Sequence, residues 1–304
     1  MLEITKQHVE GRSSMRIVSR KQSTSKNTVN DYVHAVTKNT KDSEFIKTRF
    51  NPNWHGTLSV DGKYVKVYDS IEKKTISYCW ICGIDYPTKD LPHYLLHDEE
   101  GRIDMVIYFK ELKRLGYPLK VLISDDNHEI LEAARFVYGN DFAFQLCTFH
   151  YMKKLEVIVY PDKKDYLVEL IRGIIHSRKP ESFYRRISFL MENKHCFLKD
   201  EKHRRIFTDF QNHIEHLATH VYYSEYIPNT SNEIENLFRQ LNLRLKTIGR
   251  FNKYKYASDF LNAWALMRRF TAFTDCKKPN KHRNGKAPLE LAGCNITGID
   301  YLNI

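Results

Sequence analysis

The sequence has no long hydrophobic run and only six cysteines. Its longest apolar stretches have the length of a β-strand, which excludes a transmembrane helix, and the N-terminus lacks the apolar segment of a secretory signal. The cysteines are scattered, so they do not form the dense disulfide framework of a small secreted protein. We therefore expect a protein of the reducing cytoplasm.

Acidic residues are fewer than basic ones. Lys and Arg total 48 and Asp and Glu total 37, which gives a formal net charge of 48 − 37 = +11. This excess favours a nucleic acid or another polyanion as the partner, and a basic protein that binds no nucleic acid is the alternative. The length of 304 residues allows a large core and two or three structural units, and 19 Tyr and 17 Phe argue against disorder.

The first part of the chain, residues 1–50, is polar and basic. Two short helical patterns are separated by a polar break, after which Ser25 suits a helix N-cap and apolar residues such as Val29 fall on one face. Lys26 and Asn30 then point outward, as on the recognition helix of a helix-turn-helix. This layout predicts a DNA-binding region, and an amphipathic helical pair that serves as a linker is the alternative.

The following segments predict an α/β fold. Alternating apolar residues over 56–86 indicate three antiparallel strands, the first of which ends at Asp61. Helical and strand patterns alternate up to about residue 150, and the block 151–225 is helical, basic and without a convincing strand. Three strands followed by βα units is the order of a ribonuclease-H-like core. We therefore predict that core with a mixed sheet, an all-helical insertion and a small N-terminal helical element.

Three acidic residues stand in distinctive settings: Asp61 in GTLSVDGKYVKV, Asp125 in LKVLISDDNHEIL and Glu235 in NTSNEIENLFRQL. The patterns place the two aspartates at strand ends and the glutamate on the first turns of a helix. Hard divalent cations prefer carboxylate oxygens held on rigid elements, so the three together suit a two-metal phosphoryl-transfer site. The helical block at 151–225 accounts for the long spacing between the second and third acids.

Each acid also has a structural interpretation. Asp61 with Gly62 is a signal for a hairpin turn. Asp125 suits a helix N-cap, and Asp126 could take either role. Glu235 alone is an ordinary solvated acid of a first helical turn, where the helix dipole favours it. The functional interpretation depends on the three acids occurring together in this order.

Cysteine and histidine pairs give weaker signals. Cys147 and His150 form a Cys-x-x-His pattern where a strand passes into a helix. A zinc site needs about four ligands, so packing of the thiol is the alternative to metal binding. In the segment CWIC, strand alternation points Cys79 and Cys82 to opposite faces, and we expect both to pack in the core.

Two further groups suggest contact with DNA. His213, His216 and His220 have the spacing of one helical face, which favours a solvated or DNA-facing stripe over a metal site. Basic residues interleaved with aromatic ones lie along and after the helix of the third acid, and they form either a phosphate-contacting track or a solvated face. The candidate DNA-binding residues of this track are Arg239, Arg244, Lys246, Arg250 and Lys253.

Four blocks resemble the DDE transposases of the Mutator-like and related bacterial insertion-sequence type. DGKYVKV is similar to the family's first-Asp block, LISDDNHEIL to its second, QLCTFHYMKKL to its Cys-x-x-His segment and TSNEIENLFRQLNLRLK to its third. The register of the third block selects Glu235 over Glu233. The resemblance covers about residues 55–275, and the chain shows no counterpart of the N-terminal zinc-binding element that some members carry.

The resemblance implies an enzyme that cuts transposon ends and transfers them to target DNA. Asp61, Asp125 and Glu235 would be catalytic and would hold two Mg²⁺ ions, for which Mn²⁺ can substitute, with Cys147 and His150 beside the site. It also implies double-stranded DNA as the substrate, a homo-oligomer on paired ends, and a cytoplasmic, nucleoid-associated protein. A catalytically inactive, transposase-derived DNA-binding protein and a ribonuclease-H-like nuclease without strand transfer are the alternatives.

These observations divide the chain into five segments. We predict a helix-turn-helix-like region (1–50), the first part of the catalytic core (55–150), the helical insertion (151–225), the catalytic helix with the remainder of the core (226–275) and a C-terminal tail with a short element (276–304).

Overall fold

The computed structural model describes residues 1–11, 13–160 and 165–304. These residues contain five strands, which are β1 (Thr57–Asp69), β2 (Lys74–Asp85), β3 (Tyr94–His97), β4 (Val121–Ser124) and β5 (Ala143–Leu146). They form one sheet in the order β3-β2-β1-β4-β5. β1, β4 and β5 are parallel, with Thr57 beside Val121 and Val121 beside Ala143, whereas β2 and β3 are antiparallel. The expected α/β class and mixed sheet are therefore confirmed.

The three strands expected over 56–86 are two long strands. β1 continues through Asp61, and the chain reverses at residues 70–73, where the Asp69 carboxylate accepts a hydrogen bond from the N–H of Ile71 at 2.7 Å. The third strand is β3, whose four residues are too few to show a clear alternation. Asp61 is therefore not a hairpin-turn residue, and that interpretation is wrong.

The same described residues contain fourteen α-helices and two short 3-10 helices, Lys194–Cys196 and Asn280–Arg283. The α-helices are α1 (Leu2–Val9), α2 (Met15–Lys21), α3 (Lys26–Thr37), α4 (Ser43–Phe50), α5 (Arg102–Arg114), α6 (His128–Tyr138), α7 (Thr148–Val159), α8 (Tyr166–Ile175), α9 (Pro180–Glu192), α10 (Glu201–Leu217), α11 (Thr219–Tyr222), α12 (Asn232–Ile248), α13 (Tyr254–Phe270) and α14 (Pro288–Leu291). None of the described helices is long and apolar enough to cross a membrane.

The chain divides into two compact units. Unit 1 consists of Met1–Gly56, Asp61–Pro118 and Glu233–Ile304, and unit 2 consists of Thr57–Val60 and Leu119–Asn232. The predicted insertion, 151–225, falls in unit 2 together with β4, α6 and β5. Its described part is helical and contains no strand, as expected.

The core of unit 1 joins β2 to α12 and α13. Trp80 on β2 packs edge-to-face on Trp264 of α13, with ring centroids 5.9 Å apart. Arg269 and Asp90 form a fully buried ion pair, in which Nε and Nη2 of the arginine donate to the two carboxylate oxygens at 2.7 and 2.8 Å. The indole N–H of Trp54 donates to the same carboxylate at 2.8 Å. These hydrogen bonds compensate the desolvation of the charges and fix α13 in the core.

The N-terminal helices α2 and α3 of unit 1 pack on each other, and their helix-turn-helix role stays a prediction. The Ser25 hydroxyl accepts a hydrogen bond from the N–H of Thr28 at 3.0 Å and so caps α3. Val18 of α2 packs with Val29 and Val33 of α3 in a small core of their own. The break between the two helices is therefore where the sequence places it.

The C-terminal segment contributes to the core of unit 1. Leu289, Ile296 and Tyr301 are buried there, and the Asp300 carboxylate lies 2.7 Å from Lys6 Nζ on α1. The segment expected to be mainly a loop therefore joins the N-terminal helix to the core.

Unit 2 has a separate core made of helices. Leu155 of α7, Ile171 of α8, Leu190 of α9 and Phe210 of α10 are fully buried in one cluster. The apolar stripes of these helices meet there, and their basic residues remain on the outer faces. This arrangement accounts for the mixture of apolar and basic residues in the block 151–225.

Candidate functional site

Asp61 lies inside β1 and its side chain is half-buried. The expectation that the first strand ends there is wrong, because β1 continues beyond it. The Asp61 Oδ1 accepts a hydrogen bond from the N–H of Gly62 at 2.7 Å. Burial, with the charges of Glu100 and Asp61, raises the pKa of the Cys79 thiol to about 12, and burial also raises the pKa of Cys82. Both cysteines are buried, protonated core residues, as their strand positions predict.

Gly62 marks a close approach beside Asp61. A Cβ atom at Gly62 would lie 2.5 Å from the Cys79 Sγ and 2.7 Å from the Glu100 Oε2. Both distances are well inside van der Waals contact. A side chain at this position would therefore displace its neighbours and disturb the backbone that carries Asp61.

Asp125 directly follows β4, and its Oδ1 is buried without a hydrogen-bond donor among the described residues. Burial raises the pKa of the Asp125 carboxyl, and the nearby His150 opposes this shift. The N-cap of α6 is Asn127, whose side chain accepts a hydrogen bond from the N–H of Glu129 at 3.0 Å. The interpretation of Asp125 as the helix cap is therefore wrong.

Asp126, in the loop between β4 and α6, belongs to a charged cluster with residues of α7 and α10. Its carboxylate lies 3.0 Å from Lys154 Nζ and 3.3 Å from His213 Nε2, and the same lysine lies 2.8 Å from the Asp209 carboxylate. The Lys154 ammonium already balances the charge of Asp126. Of the two adjacent aspartates, Asp125 is therefore the stronger candidate for binding an added cation.

Cys147 and His150 lie at the junction of β5 and α7. The buried Cys147 Sγ accepts hydrogen bonds from the N–H and the hydroxyl of Ser231, at 3.3 and 3.2 Å. Burial disfavours the thiolate, but hydrogen bonds from His150 and Ser231 outweigh it and lower the pKa of Cys147. The Thr148 N–H also donates to the Asn229 carbonyl at 2.9 Å. The thiol is thus a hydrogen-bond acceptor that ties the start of α7 to the segment preceding α12.

Glu235 lies near the start of α12, and its neighbour Glu233 forms an ion pair. Lys89 Nζ is 2.7 Å from the Glu233 carboxylate and 3.9 Å from the centre of the Tyr86 ring. Only 5% of the Lys89 side chain is exposed, and burial lowers its pKa to about 8 against the opposing charge of Glu233. Glu233 is therefore neutralised by the protein, in the same way as Asp126.

The predicted catalytic residues are distributed over both units. Asp61 and Glu235 belong to unit 1, whereas Asp125, Cys147 and His150 belong to unit 2. Within unit 2, His150 influences Asp125 electrostatically and is hydrogen-bonded to Cys147, so these three lie together. The meeting of all three carboxylates at one pair of metal ions stays a prediction.

Three of the predicted DNA-binding residues line one cavity of unit 1. This cavity has a volume of about 450 Å³ and is bordered by α2, α3, the end of α12 and the start of α13. Lys26 and Asn30 of α3 face it from one side, and Arg250 faces it from the loop that follows α12. Residues more than 200 positions apart in the chain thus line the same basic cavity.

The other residues of the predicted basic track have different surroundings. Arg239 and Lys246 are exposed on α12, and Lys253 is exposed at the N-cap of α13. Arg244 is only 3% exposed, and its guanidinium donates a hydrogen bond to the carbonyl oxygen of His8. Arg244 therefore supports the packing of α1 on α12, and its assignment as a DNA-binding residue is corrected.

The three histidines of the expected helical stripe do not form one. α10 ends at Leu217, and His220 lies in α11, where it is buried. Its two ring nitrogens lie 3.1 Å from the Gln145 Oε1 and 3.1 Å from the Ser177 carbonyl oxygen. Burial lowers the pKa of His220 to about 4. His213 contacts the charged cluster of Asp126, so neither is a solvated histidine.

Two lysines that no sequence pattern singles out contact acids next to the candidate ligands. Lys89 stands in the loop segment YPTKDLP, where no periodicity indicates burial. Lys154 lies on α7 and is separated from Asp126 by 28 positions. A lysine in such positions is usually solvated, so only the folded chain shows these contacts.

The comparisons with known proteins agree with these observations at the level of the family. A sequence model described as the transposases of the Mutator family matches residues 3–266. This range covers all of unit 2, most of unit 1 and every candidate catalytic residue. A search of the curated proteins found no match.

Proposed function

Because the chain belongs to the Mutator family of transposases, we propose that it cuts and joins DNA at transposon ends by a DDE mechanism. In this proposal Asp61, Asp125 and Glu235 are the catalytic carboxylates and hold two Mg²⁺ ions, with Mn²⁺ as a substitute. The substrate is double-stranded DNA, both as transposon end and as target, and the enzyme acts as a homo-oligomer on paired ends.

The buried Oδ1 atom of Asp125 carries this proposal. A buried carboxylate oxygen without a donor is costly, and a divalent cation would supply the missing partner. The neighbouring Asp126 is already paired with Lys154 and His213, so it needs no such partner. The donor set of three carboxylates also fits a hard cation that prefers oxygen ligands.

The sheet supports a ribonuclease-H-like assignment of the core. Two antiparallel strands at one edge, β3 and β2, are followed by the parallel strands β1, β4 and β5. Asp125 lies at the carboxyl end of β4, where ligands gather in open α/β sheets. Asp61 lies within a continuous strand and Glu235 on a helix of 17 residues, so all three acids are on or directly beside rigid elements.

The chemistry divides between the ions and the chain. Two bound Mg²⁺ ions would activate water or a 3′-hydroxyl and stabilise the leaving oxygen of the phosphodiester. The carboxylates of the three catalytic acids would orient these ions. Asp126 and Glu233 are each paired with a lysine, so these two acids would compete less for the ions. Exposed cations such as Arg239 and Lys246 attract the DNA backbone.

We expect Asp125→Asn to abolish Mg²⁺-dependent cleavage, with a loss of more than about 100-fold, because loss of an outer-shell partner alone costs 10- to 100-fold. Asp126→Asn is the matched control, since it makes the same change one position away in an ion-paired residue. DNA binding in a chelator should be unchanged for both variants. Cleavage of a labelled end duplex measures the effect.

Two results of this experiment would contradict the proposal. Wild-type cleavage by Asp125→Asn would exclude Asp125 as a ligand, and equal losses in both variants would indicate a structural effect of the loop. Joining of a pre-cut 3′-hydroxyl end to a target plasmid tests strand transfer separately. A protein that cleaves but gives no joined product would be a nuclease.

A further inference from the structure

The cavity of about 450 Å³ in unit 1 has the size of a site for a single small group or nucleotide. The polar residues used below come from three separate parts of the chain, α2, α3 and the loop after α12, and each part carries a cation. The polar residues that matter here are Arg16, Lys26, Asn30, His34, Arg250 and Asn252.

The lining has the chemistry of a phosphate site. Arg16, Lys26 and Arg250 are cationic and exposed, and none of the described residues that line the cavity is acidic. Arg250 is held in place by stacking over the Tyr68 ring, 4.5 Å from its centre, and by a hydrogen bond to the Thr75 hydroxyl at 3.3 Å. An oriented guanidinium loses less entropy when it binds an oxyanion than a freely moving one does.

The cavity also offers groups for the rest of a nucleotide. His34 stacks on Tyr256 with ring centroids 3.6 Å apart, and both rings line the cavity. Asn30 and Asn252 supply amide donors and acceptors. Amide groups and ring N–H or O–H donors beside cations suit the oxygens of a sugar-phosphate.

We propose that this cavity holds one sugar-phosphate unit of the transposon-end DNA, so that α3 and the loop after α12 grip the same stretch of backbone. The inference rests on the proposed function, since it names how the DNA substrate is held. It departs from a helix-turn-helix that binds DNA by itself, because one of the three cations that line the cavity, Arg250, comes from the segment that follows α12.

The length of α12 gives the distance between the proposed catalytic Glu235 and the cavity. Glu235 lies near the start of this helix and Thr247, at its end, lines the cavity, so 247 − 235 = 12 residues separate them. At about 1.5 Å per residue the two ends are about 18 Å apart. Successive phosphates advance about 3.4 Å along each strand, so a strand that runs parallel to α12 would place the bound phosphate about five nucleotides from the one that is cut.

The test measures DNA binding by a double variant, with duplexes in which single phosphates are replaced by uncharged methylphosphonates. The probe is a duplex that carries the terminal inverted repeat flanking the gene, with single methylphosphonate substitutions placed at successive positions from the cleavage site. Binding is measured by fluorescence anisotropy in a chelator for the full-length wild type and for Lys26→Met with Arg250→Met. Lys38→Met, an exposed lysine at the end of α3 that does not line the cavity, is the control.

We expect the double variant to bind at least about tenfold more weakly than the wild type. The plot of log affinity against log salt concentration should be less steep for the double variant, by about two in slope. In the wild type, a methylphosphonate about five nucleotides from the cut should weaken binding, and the same substitution should have no further effect on the double variant. Lys38→Met should bind like the wild type.

Three results would overturn the inference: equal methylphosphonate effects in wild type and double variant, an effect far from the expected position, or equal losses in Lys38→Met. Failure of the proposed function is recognised separately, because it appears as unimpaired cleavage by Asp125→Asn, while the binding assay contains no metal. Circular dichroism confirms that the double variant is folded.

Discussion

At Gly62 the absence of a side chain allows the chain to pass close to Cys79 and Glu100 beside a proposed catalytic acid. We expect Gly62→Ala to lower the free energy of unfolding by about 1–3 kcal/mol, as overpacking of a filled site does. Gly101→Ala is the control, since the nearest neighbour of its Cβ would be the Glu99 side-chain tip at 3.1 Å. Urea unfolding compares the two, and equal stabilities would show that the neighbours of Gly62 move aside at little cost.

Adjacent or nearly adjacent acids in this protein differ in their surroundings. Asp126 pairs with Lys154, and Glu233 pairs with Lys89. In the proposed site these pairings restrict cation binding to Asp125 and Glu235, because a carboxylate that already has a protein cation gains less from an added ion. From the sequence alone, only the alignment with the family's blocks distinguishes Asp125 from Asp126 and Glu235 from Glu233 as the proposed ligand.

At the scale of the element, two residues between β4 and α6 have different roles: Asn127 caps α6, and Asp125 is the proposed catalytic residue. We expect Asn127→Ala to lower the free energy of unfolding by about 1 kcal/mol, because it removes the side chain that caps α6.

In a chelator, Asp125→Asn should be at least as stable as the wild type, because it replaces a buried carboxyl of raised pKa with a neutral amide. Urea unfolding of both variants measures the difference. A larger destabilisation by Asp125→Asn than by Asn127→Ala would assign Asp125 to the structure of the junction.

At the scale of the whole molecule, each unit contains at least one histidine whose pKa is lowered by burial. Burial lowers the pKa of His8 in unit 1 and of His220 in unit 2 to about 4, from an ordinary value of 6.5. Unfolding therefore takes up protons between pH 6.5 and 4. The stability contribution is complete above pH 6.5 and is lost as the pH falls towards 4, by up to about 3 kcal/mol for each histidine.

We expect His8→Gln with His220→Gln to show a smaller loss of stability between pH 7 and pH 5 than the wild type. Urea unfolding at the two pH values measures this loss. His195→Gln, a change at an exposed position, is the control and should leave the pH dependence unchanged. An identical pH dependence in the double variant would show that other groups cause the acid destabilisation.

The sequence indicated most elements of the fold, and its failures have specific physical causes. β3 was missed because four residues cannot establish a period, and the C-terminal segment was taken for a loop because its apolar residues are widely spaced. Arg244 looked like a surface cation because its partner, the carbonyl of His8, is 236 positions away in the chain. His220 looked solvated because α10 ends three residues before it.

The sequence by itself determined the α/β class, the capped α3, the helical block of unit 2 and the family, because periodicity, capping and sequence blocks are local properties of the chain. Only the tertiary structure decided which acids are neutralised and which cations share a cavity. Those outcomes depend on contacts between distant residues, such as Lys89 with Glu233 and Lys26 with Arg250 across one cavity, and folding alone brings them together.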